Sequence, residues 1–486
     1  MPKSSEVEFL EAHLRQSLFN IDDYGFIEET DEWNLSKKRE KLNRRLMRRE
    51  YRKCYRLNRD GRIIALNLQD CDIGDGGFLK DLSQLEALNL DGNQIRECSF
   101  LNHLSHLRCL ELRGNEFTEW NSVKELPLLE SLSLHSTIFQ NGFFLRDLPQ
   151  LKSLELGSTN LRCWGFLKEF TQLEALHLKS HEISDWSFIR ELPHLRCLSL
   201  CNNSVRYGNR LRCLSNLQFL SIWGDEIRDW SFLNSLPQLR SLSLGNNHLR
   251  DGNFLRELSH LQSLFLSHNL LTDGSFLKNF TQLESLNFER NKLNNWSFLK
   301  DLVQLKSLNL SRNSFQNPRF LENLTRLKSL DLSLISISDF SFLKEFSLLK
   351  SLNLQNTNMK DGSSLKGLTQ LESLDLLRNN IVDGTFLENL KQLQSLHLGF
   401  NQINDLDPLG HLQKLRTLDL RENDVESVPN WLLERKLSFE EGEILGRILP
   451  GTFAWRGNQI KSPPVDILRQ GRLKIANWFK GAPTSE

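Results

Sequence analysis

The sequence predicts an α/β solenoid of seventeen short stacked repeats. Each gives one strand to a parallel concave sheet and one 3-10 or helical turn to the convex side, and a helical cap closes either end. Three observations predict it. Residues 85–106, LEALNLDGNQIRECSFLNHLSH, align without a gap on residues 107–128, LRCLELRGNEFTEWNSVKELPL. Their shared pattern, L-x-x-L-x-L-x-x-N-x-I/L-x-x-x-x-F-L-x-x-L-x-x, begins at Ile63 and recurs every 22 residues as far as Leu415. A fixed period overrides the several domains that 486 residues alone would suggest. Finally, the L-x-L alternation inside each copy is the signature of a short strand with one face buried. One copy cannot bury its own leucines, so neighbours must stack and share a core.

The repeat positions, counted from 1 to 22, divide into roles. Position 9 is Asn in ten copies, from Asn93 to Asn423, with Thr137, Thr159 and Thr357 as workable substitutes and His181, Asp225 and Ile335 as poorer ones. An amide there can donate and accept within the turn that follows the strand, where backbone polar groups would otherwise go unpaired. Phe at position 16 (Phe100, Phe166, Phe188, Phe232, Phe298) forms an aromatic column on the outer side. Trp at position 14 (Trp120, Trp164, Trp186, Trp230, Trp296) lines the same turns. These rings read as packing rather than ligand contacts.

The pattern over 63–436 resembles the leucine-rich repeats of the short 22-residue class found in internalin-type and phosphatase-regulatory proteins. The resemblance implies a non-enzymatic interaction fold. Near the C-terminus, GNQIKSPPVDIL running on through RQGRLKIANWF is similar to the segment that joins such repeats to the GTPase of bacterial Roco-type proteins. The match falls on Gly457, Asn458, Ser462, Pro463, Pro464, Ile467, Gln470, Gly471, Ile475 and Phe479, with Gln459, Asp466 and Trp478 departing from it. Val465–Phe479 then reads as one amphipathic helix turning Ile467, Leu468, Ile475, Trp478 and Phe479 inward, a lid on the last repeat. The segments are 1–62 (N-terminal helical cap), 63–436 (repeats) and 437–486 (C-terminal cap).

Charge and motifs narrow the function classes. The chain carries 61 basic and 61 acidic residues. The balance hides nine acidic and two basic side chains in 1–32 against thirteen basic and three acidic in 33–62. Helical spacing is present at Phe9 or Leu10, Leu14 and Leu18, and again over Ser36–Leu57. On the second stretch Arg44, Arg45, Arg48, Arg49 and Arg52 are a candidate anion-binding face for nucleic acid or acidic lipid. No phosphate-binding loop, nucleophile elbow or zinc-protease motif occurs, so neither catalysis nor a cofactor is expected. Eight scattered cysteines read as reduced thiols of a cytoplasmic protein, and Cys197, Cys201 and Cys213 as packing rather than a metal site. The start of the chain lacks the apolar run of a signal peptide.

Recognition is expected on the concave face, where positions 3, 5, 7 and 8 point outward. Position 3 is nearly always Ser, Ala or Cys, so large residues stand out. Phe219, Trp223, Phe265 and His268, with Tyr207 at the rim, form one candidate protein-binding cluster. Leu334, Leu377 and Phe400 form a second, beside Arg290, Arg312 and Arg378 and flanked by Asp331, Asp375 and Asp419. Mixed charge suits a protein partner better than nucleic acid. The expected function is a bacterial, non-catalytic scaffold acting as sensor, adaptor or regulator of a separately encoded effector. The alternatives are anion binding through the basic N-terminal stretch and inhibition of an enzyme.

Overall fold

The computed structural model describes residues 5–14, the backbone of 19–20, and 54–481 apart from 136–141, 160, 162, 181–182, 184, 204, 206–207, 226, 316, 436, 443–447 and 449–450. The chain divides into two compact units, Met1–Asn247 and His248–Glu486. Both are leucine-rich-repeat solenoids in architecture: parallel strands one repeat apart, linked through short 3-10 turns.

The first unit begins with a helix, Ser5–Leu14, that buries Val7 and Leu10 and leaves Phe9 exposed. Its Glu6 carboxylate accepts from the Ile63 backbone N–H at 2.7 Å and from the Arg62 guanidinium at 2.9 Å. The helix thus caps the start of the first repeat strand, Ile63–Asn67. The expected helix over Ser36–Leu57 fails at its described end. Cys54–Leu57 is a strand, antiparallel to Ile63–Asn67 and parallel to Phe19–Asn20. An exposed strand edge offers a row of unpaired N–H and C=O groups, and here that edge overrides the helical spacing. Arg44, Arg45, Arg48, Arg49 and Arg52 lie outside the described residues. From Ile63–Asn67 onward the strands pair in parallel with partners 22 residues away, such as Leu88 with Leu110 and Leu220 with Leu242.

In the second unit the same register runs from Ser263–Phe265 to Thr417–Asp419. It does not stop there. Thr452–Ala454 adds a further parallel strand on Thr417–Asp419, and Ser438–Glu440 lies parallel beyond it. The start of the segment read as the C-terminal cap therefore supplies another rung. The expected single C-terminal helix is two helices, Val465–Arg469 and Arg472–Phe479, broken where Gly471 takes φ +83°. Leu468 and Ile475 are buried as expected, whereas Ile467, Trp478 and Phe479 are only half-buried.

The core repeats with the sequence. In the copy beginning at Leu85, the side chains of Leu85, Leu88, Leu90, Ile95, Leu101 and Leu104 are wholly buried. Each contributes roughly 1.5–3 kcal/mol relative to exposure. Position 9 ties neighbours together. Asn379 donates to the Leu376 carbonyl of its own repeat at 3.0 Å and to the Leu354 carbonyl of the previous one at 2.8 Å. Its oxygen accepts from the Thr357 and Met359 N–H groups at 3.1 and 2.9 Å. Asn93, Asn291, Asn401 and Asn423 donate in the same way to two repeats. The amide thus closes the preceding turn as much as its own.

The aromatic column has an equally specific partner. The ring at position 16 sits over position 14 of the preceding repeat. Where position 14 is glycine (Gly76, Gly142, Gly208, Gly252, Gly274, Gly362), a Cβ would stand 2.2–2.4 Å from the ring of Phe100, Phe166, Phe232, Phe276, Phe298 or Phe386. At two of the tryptophans the rings stack instead, Trp120 on Phe144 at 5.5 Å and Trp296 on Phe320 at 5.6 Å. Asp at position 13 opens the outer turn. Asp185, Asp229, Asp339 and Asp383 accept the backbone N–H two residues on, which holds each carboxyl below its usual range. Their support is present above the ordinary carboxylate pKa and is lost as pH falls through the lowered values.

Two substitutions test this packing. Asn379→Ala leaves four backbone groups without their partner and should cost about 3 kcal/mol in urea unfolding. Gly252→Ala should cost about 1–3 kcal/mol by pushing the Phe276 ring from its seat. Gly384→Ala, whose Cβ meets nothing closer than 3.7 Å, should change stability by less than about 1 kcal/mol. Equal effects at the two glycines would refute the ring-on-glycine account.

Candidate functional site

Position 8 decides how side chains leave the strand. Wherever it is described it takes a left-handed backbone, from Asp70 (φ +53°) and Gly92 (φ +65°) to Phe400 (φ +58°) and Glu422 (φ +53°). Glycine and asparagine adopt that conformation cheaply, and they occupy it at Gly92, Gly114, Gly224, Asn202, Asn246 and Asn356. Arg290, Arg312, Leu334, Arg378 and Phe400 take it too, at φ +52° to +60°. Each such residue costs roughly 1 kcal/mol relative to glycine. The sequence signal was the recurrent Gly and Asn, and it was missed because Arg and Leu alternate with them. Position 8 is therefore the corner after the strand and not part of the sheet face.

Position 5 sets up that corner. Asn287, Asn309, Asp331, Asn353, Asp375 and Asp419 each accept the N–H of position 7 through the side-chain oxygen at 2.8–3.1 Å. Where position 5 is Ser133, Glu155, His177, Ser199 or Ser221, the strand instead continues through position 7. The aspartates expected to flank the arginines as a charge ladder thus hold backbone. Burial pushes the Asp331 and Asp375 carboxyls up. Burial pushes Asp419 up as well, but the Arg421 guanidinium, at 2.8 and 2.7 Å, outweighs it and holds that carboxyl down.

The expected aromatic cluster divides between the units. Phe219 and Trp223 belong to the first, Phe265 and His268 to the second, and Tyr207 lies outside the described residues. Phe219 is only 6% exposed, so it packs into the sheet surface rather than projecting from it. Trp223, at position 7 of the same strand, is half-buried. In the second unit Phe265 is half-buried on the sheet and His268 sits at the corner, 3.7 Å from the Glu289 carboxylate. Around the second cluster, Arg290, Arg312 and Arg378 are exposed, while Leu334, Leu377 and Phe400 are half-buried. The Arg378 guanidinium lies over the Phe400 ring at 4.5 Å. All eight cysteines are free thiols, and among the described residues no three His, Cys, Asp or Glu side chains group to hold a metal.

A feature not foreseen from the sequence sits on the sheet of the first unit. Arg113 reaches Asp91 at 2.9 Å, Glu111 at 2.8 Å and Glu155 at 3.4 Å. Burial works against the guanidinium charge, but the three carboxylates prevail and raise its pKa. Burial also dominates at Glu111, pushing it up to about 7 despite Arg113. A raised acid favours the neutral form, so its contribution is full below the ordinary carboxylate pKa and is lost as pH climbs through 7. Glu111→Gln should therefore melt above the wild type at pH 8, by about 1–2 kcal/mol, and the gap should close near pH 5. A gap independent of pH would show that Glu111 is ionised throughout.

The family model for leucine rich repeats (2 copies) matches residues 391–430. No curated protein matches the chain in sequence. Among solved structures, internalin C2 from Listeria monocytogenes is 31% identical over 38% of this chain and 82% of its own, with a TM-score of 0.37. A leucine-rich-repeat protein from Leptospira interrogans is 22% identical over 85% of this chain and 99% of its own, with a TM-score of 0.45. The TLR13–ssRNA13 complex is 22% identical over 85% of this chain and 70% of its own, with a TM-score of 0.53, a likeness of fold. No helix among the described residues is long and apolar enough to cross a membrane. With the period, the amide ladder, the family model and the fold shared with the TLR13 complex together, the chain carries leucine-rich repeats and folds as a leucine-rich-repeat solenoid.

Proposed function

We propose that the chain is a non-catalytic scaffold that binds a protein partner on the sheet face and corners of its repeats. One observation carries this reading. A sheet face floored at position 3 by Ser, Ala and Cys bears isolated large side chains, Trp223 in one unit and Phe265 in the other, each half-buried and so partly open to contact. Large, rigid aromatic side chains on an otherwise low surface are the usual anchors of protein interfaces. Segments 1–62 and 437–486 serve as caps in this reading, and the similarity of the C-terminal segment to a repeat-to-GTPase junction supports a regulatory role toward an effector on another chain. A cytosolic setting fits the free thiols, and a bacterial one fits the resemblance of the C-terminal segment to Roco-type proteins. The basic stretch containing Arg44 and Arg45 remains the basis of the anion-binding alternative, and no specific observation favours it or the inhibitor alternative.

The test compares affinity capture by the wild type with capture by Trp223→Ala/Phe265→Ala, after checking that the two melt alike. Proteins recovered by the wild type should fall at least about tenfold with the variant, the loss of two aromatic anchors. Recovery of the same proteins at equal levels by both would reject the sheet face as the site.

A further inference from the structure

The strained corners of the second unit carry an inference that rests on the scaffold reading and names the chemistry of what is bound. From Arg290 to Phe400 position 8 reads Arg290, Arg312, Leu334, Asn356, Arg378, Phe400, one residue per repeat. Every one has a left-handed backbone, and only Asn356 is of a type that suits it. Strain of this kind persists where the side chain is needed for something other than folding. The corners are also fixed in place. The N–H groups of Arg290, Arg312, Leu334, Arg378 and Phe400 donate to the position-7 carbonyl of the next repeat at 2.7–3.0 Å. The side chains thus leave a rigid line of anchors, spaced roughly 4.8 Å apart as neighbouring strands are.

The charge on this line is cancelled from within only in part, at Arg312. The nearby aspartates at position 5 are occupied by backbone N–H groups and, for Asp419, by Arg421. Arg312 meets the Glu289 carboxylate at 3.6 Å and also bears on Asp331 through its charge, whereas among the described residues Arg290 and Arg378 have no carboxylate in ion-pair range. Arg378 lies instead on Phe400, which leaves the edge of its guanidinium free to donate to a carboxylate.

We propose that these corners form a rail for an extended acidic peptide segment, with Arg290, Arg312 and Arg378 taking carboxylates and Leu334 and Phe400 taking apolar side chains between them. Six rungs span about 24 Å, the length of roughly seven extended residues. A polynucleotide would meet its charges interrupted at Leu334 and Asn356, where an unbroken cationic row is wanted. The peptide is therefore the occupant the row fits.

Glycine supplies a clean test, since it relaxes the left-handed corner while removing the side chain. A displayed library of random heptapeptides is selected on the full chain, and the selected peptides are then measured on the wild type and on Arg290→Gly/Arg312→Gly/Arg378→Gly. The selected pool should be enriched in Asp and Glu. Its members should bind the triple variant at least about tenfold more weakly, the loss of charge-assisted contacts, although that variant melts at or above the wild-type temperature. A pool without acidic bias, no selected peptide at all, binding to both proteins within twofold, or displacement by single-stranded RNA of equal charge at equal concentration overturns the rail. Trp223→Ala/Phe265→Ala should still bind the peptides. Partner capture that depends on Trp223 and Phe265 while the rail test fails rejects the rail and leaves the scaffold reading standing.

Discussion

In ten of the repeats the turn after the preceding strand is closed by a position-9 amide, and the rest of the architecture follows from it. Asn401 accepts from Ile381, twenty residues earlier, and donates to Leu376, twenty-five residues earlier. A residue inserted between them would have to bulge out of the turn without moving either end, or it would uncouple the buried donor from its acceptor. Leaving such groups unpaired costs more than any single surface contact returns. The invariant spacing over residues 63–436 is thus a consequence of hydrogen bonding as much as of leucine packing. Substitutions at position 9 obey the same logic. Thr357 keeps a donor to its own Leu354 carbonyl and hands its N–H to Asn379. Asp225 keeps the acceptor half, taking the Asn203 and Val205 N–H groups at 2.8 and 3.0 Å.

Because each repeat is finished by its successor, the last one needs help from outside the period. Asn458 gives it. Its amide donates to the Leu420 carbonyl at 2.7 Å and its oxygen accepts from the Val425 N–H at 3.0 Å, as a position-9 asparagine would. Gly457 before it has the left-handed φ of position 8, and the Glu422 N–H bonds the Arg456 carbonyl as each corner bonds the next repeat. The GNQI stretch that resembles a junction to another domain is, in structural terms, the repeat pattern resumed after a loop.

What was legible in the sequence is what repeats with one residue type. The leucines, the position-9 amides and the position-16 phenylalanines recur with little variation because each fills a site whose shape or polarity admits few alternatives. Features set by backbone conformation were harder to read. The corner at position 8 tolerates Gly, Asn, Arg, Leu and Phe, so no residue type announces it. Phe219 looked like an anchor because position 3 is otherwise small, yet the same smallness leaves room for the ring to lie down into the surface. Cys54–Leu57 has a helical pattern and becomes a strand because an unpaired edge lies beside it. Gly471 was noted for a motif and not for the break that its positive φ makes possible.

The same accounting shows where this chain is free to specialise. Positions 1, 4, 6, 11, 17 and 20 are taken by the core, 9 by the amide ladder, and 14 and 16 by the outer packing. In much of the second unit position 5 is taken as well, since its Asn or Asp holds the N–H of position 7. Side chains free to meet a partner are then concentrated at positions 7 and 8, on one edge of the sheet. Position 7 is mostly small or polar there, as at Ser311, Ser333 and Gly399. Position 8 carries the large groups, though its backbone would prefer glycine. Five bulky side chains held against that preference, Arg290, Arg312, Leu334, Arg378 and Phe400, set the chemistry of this edge apart from the demands of the fold.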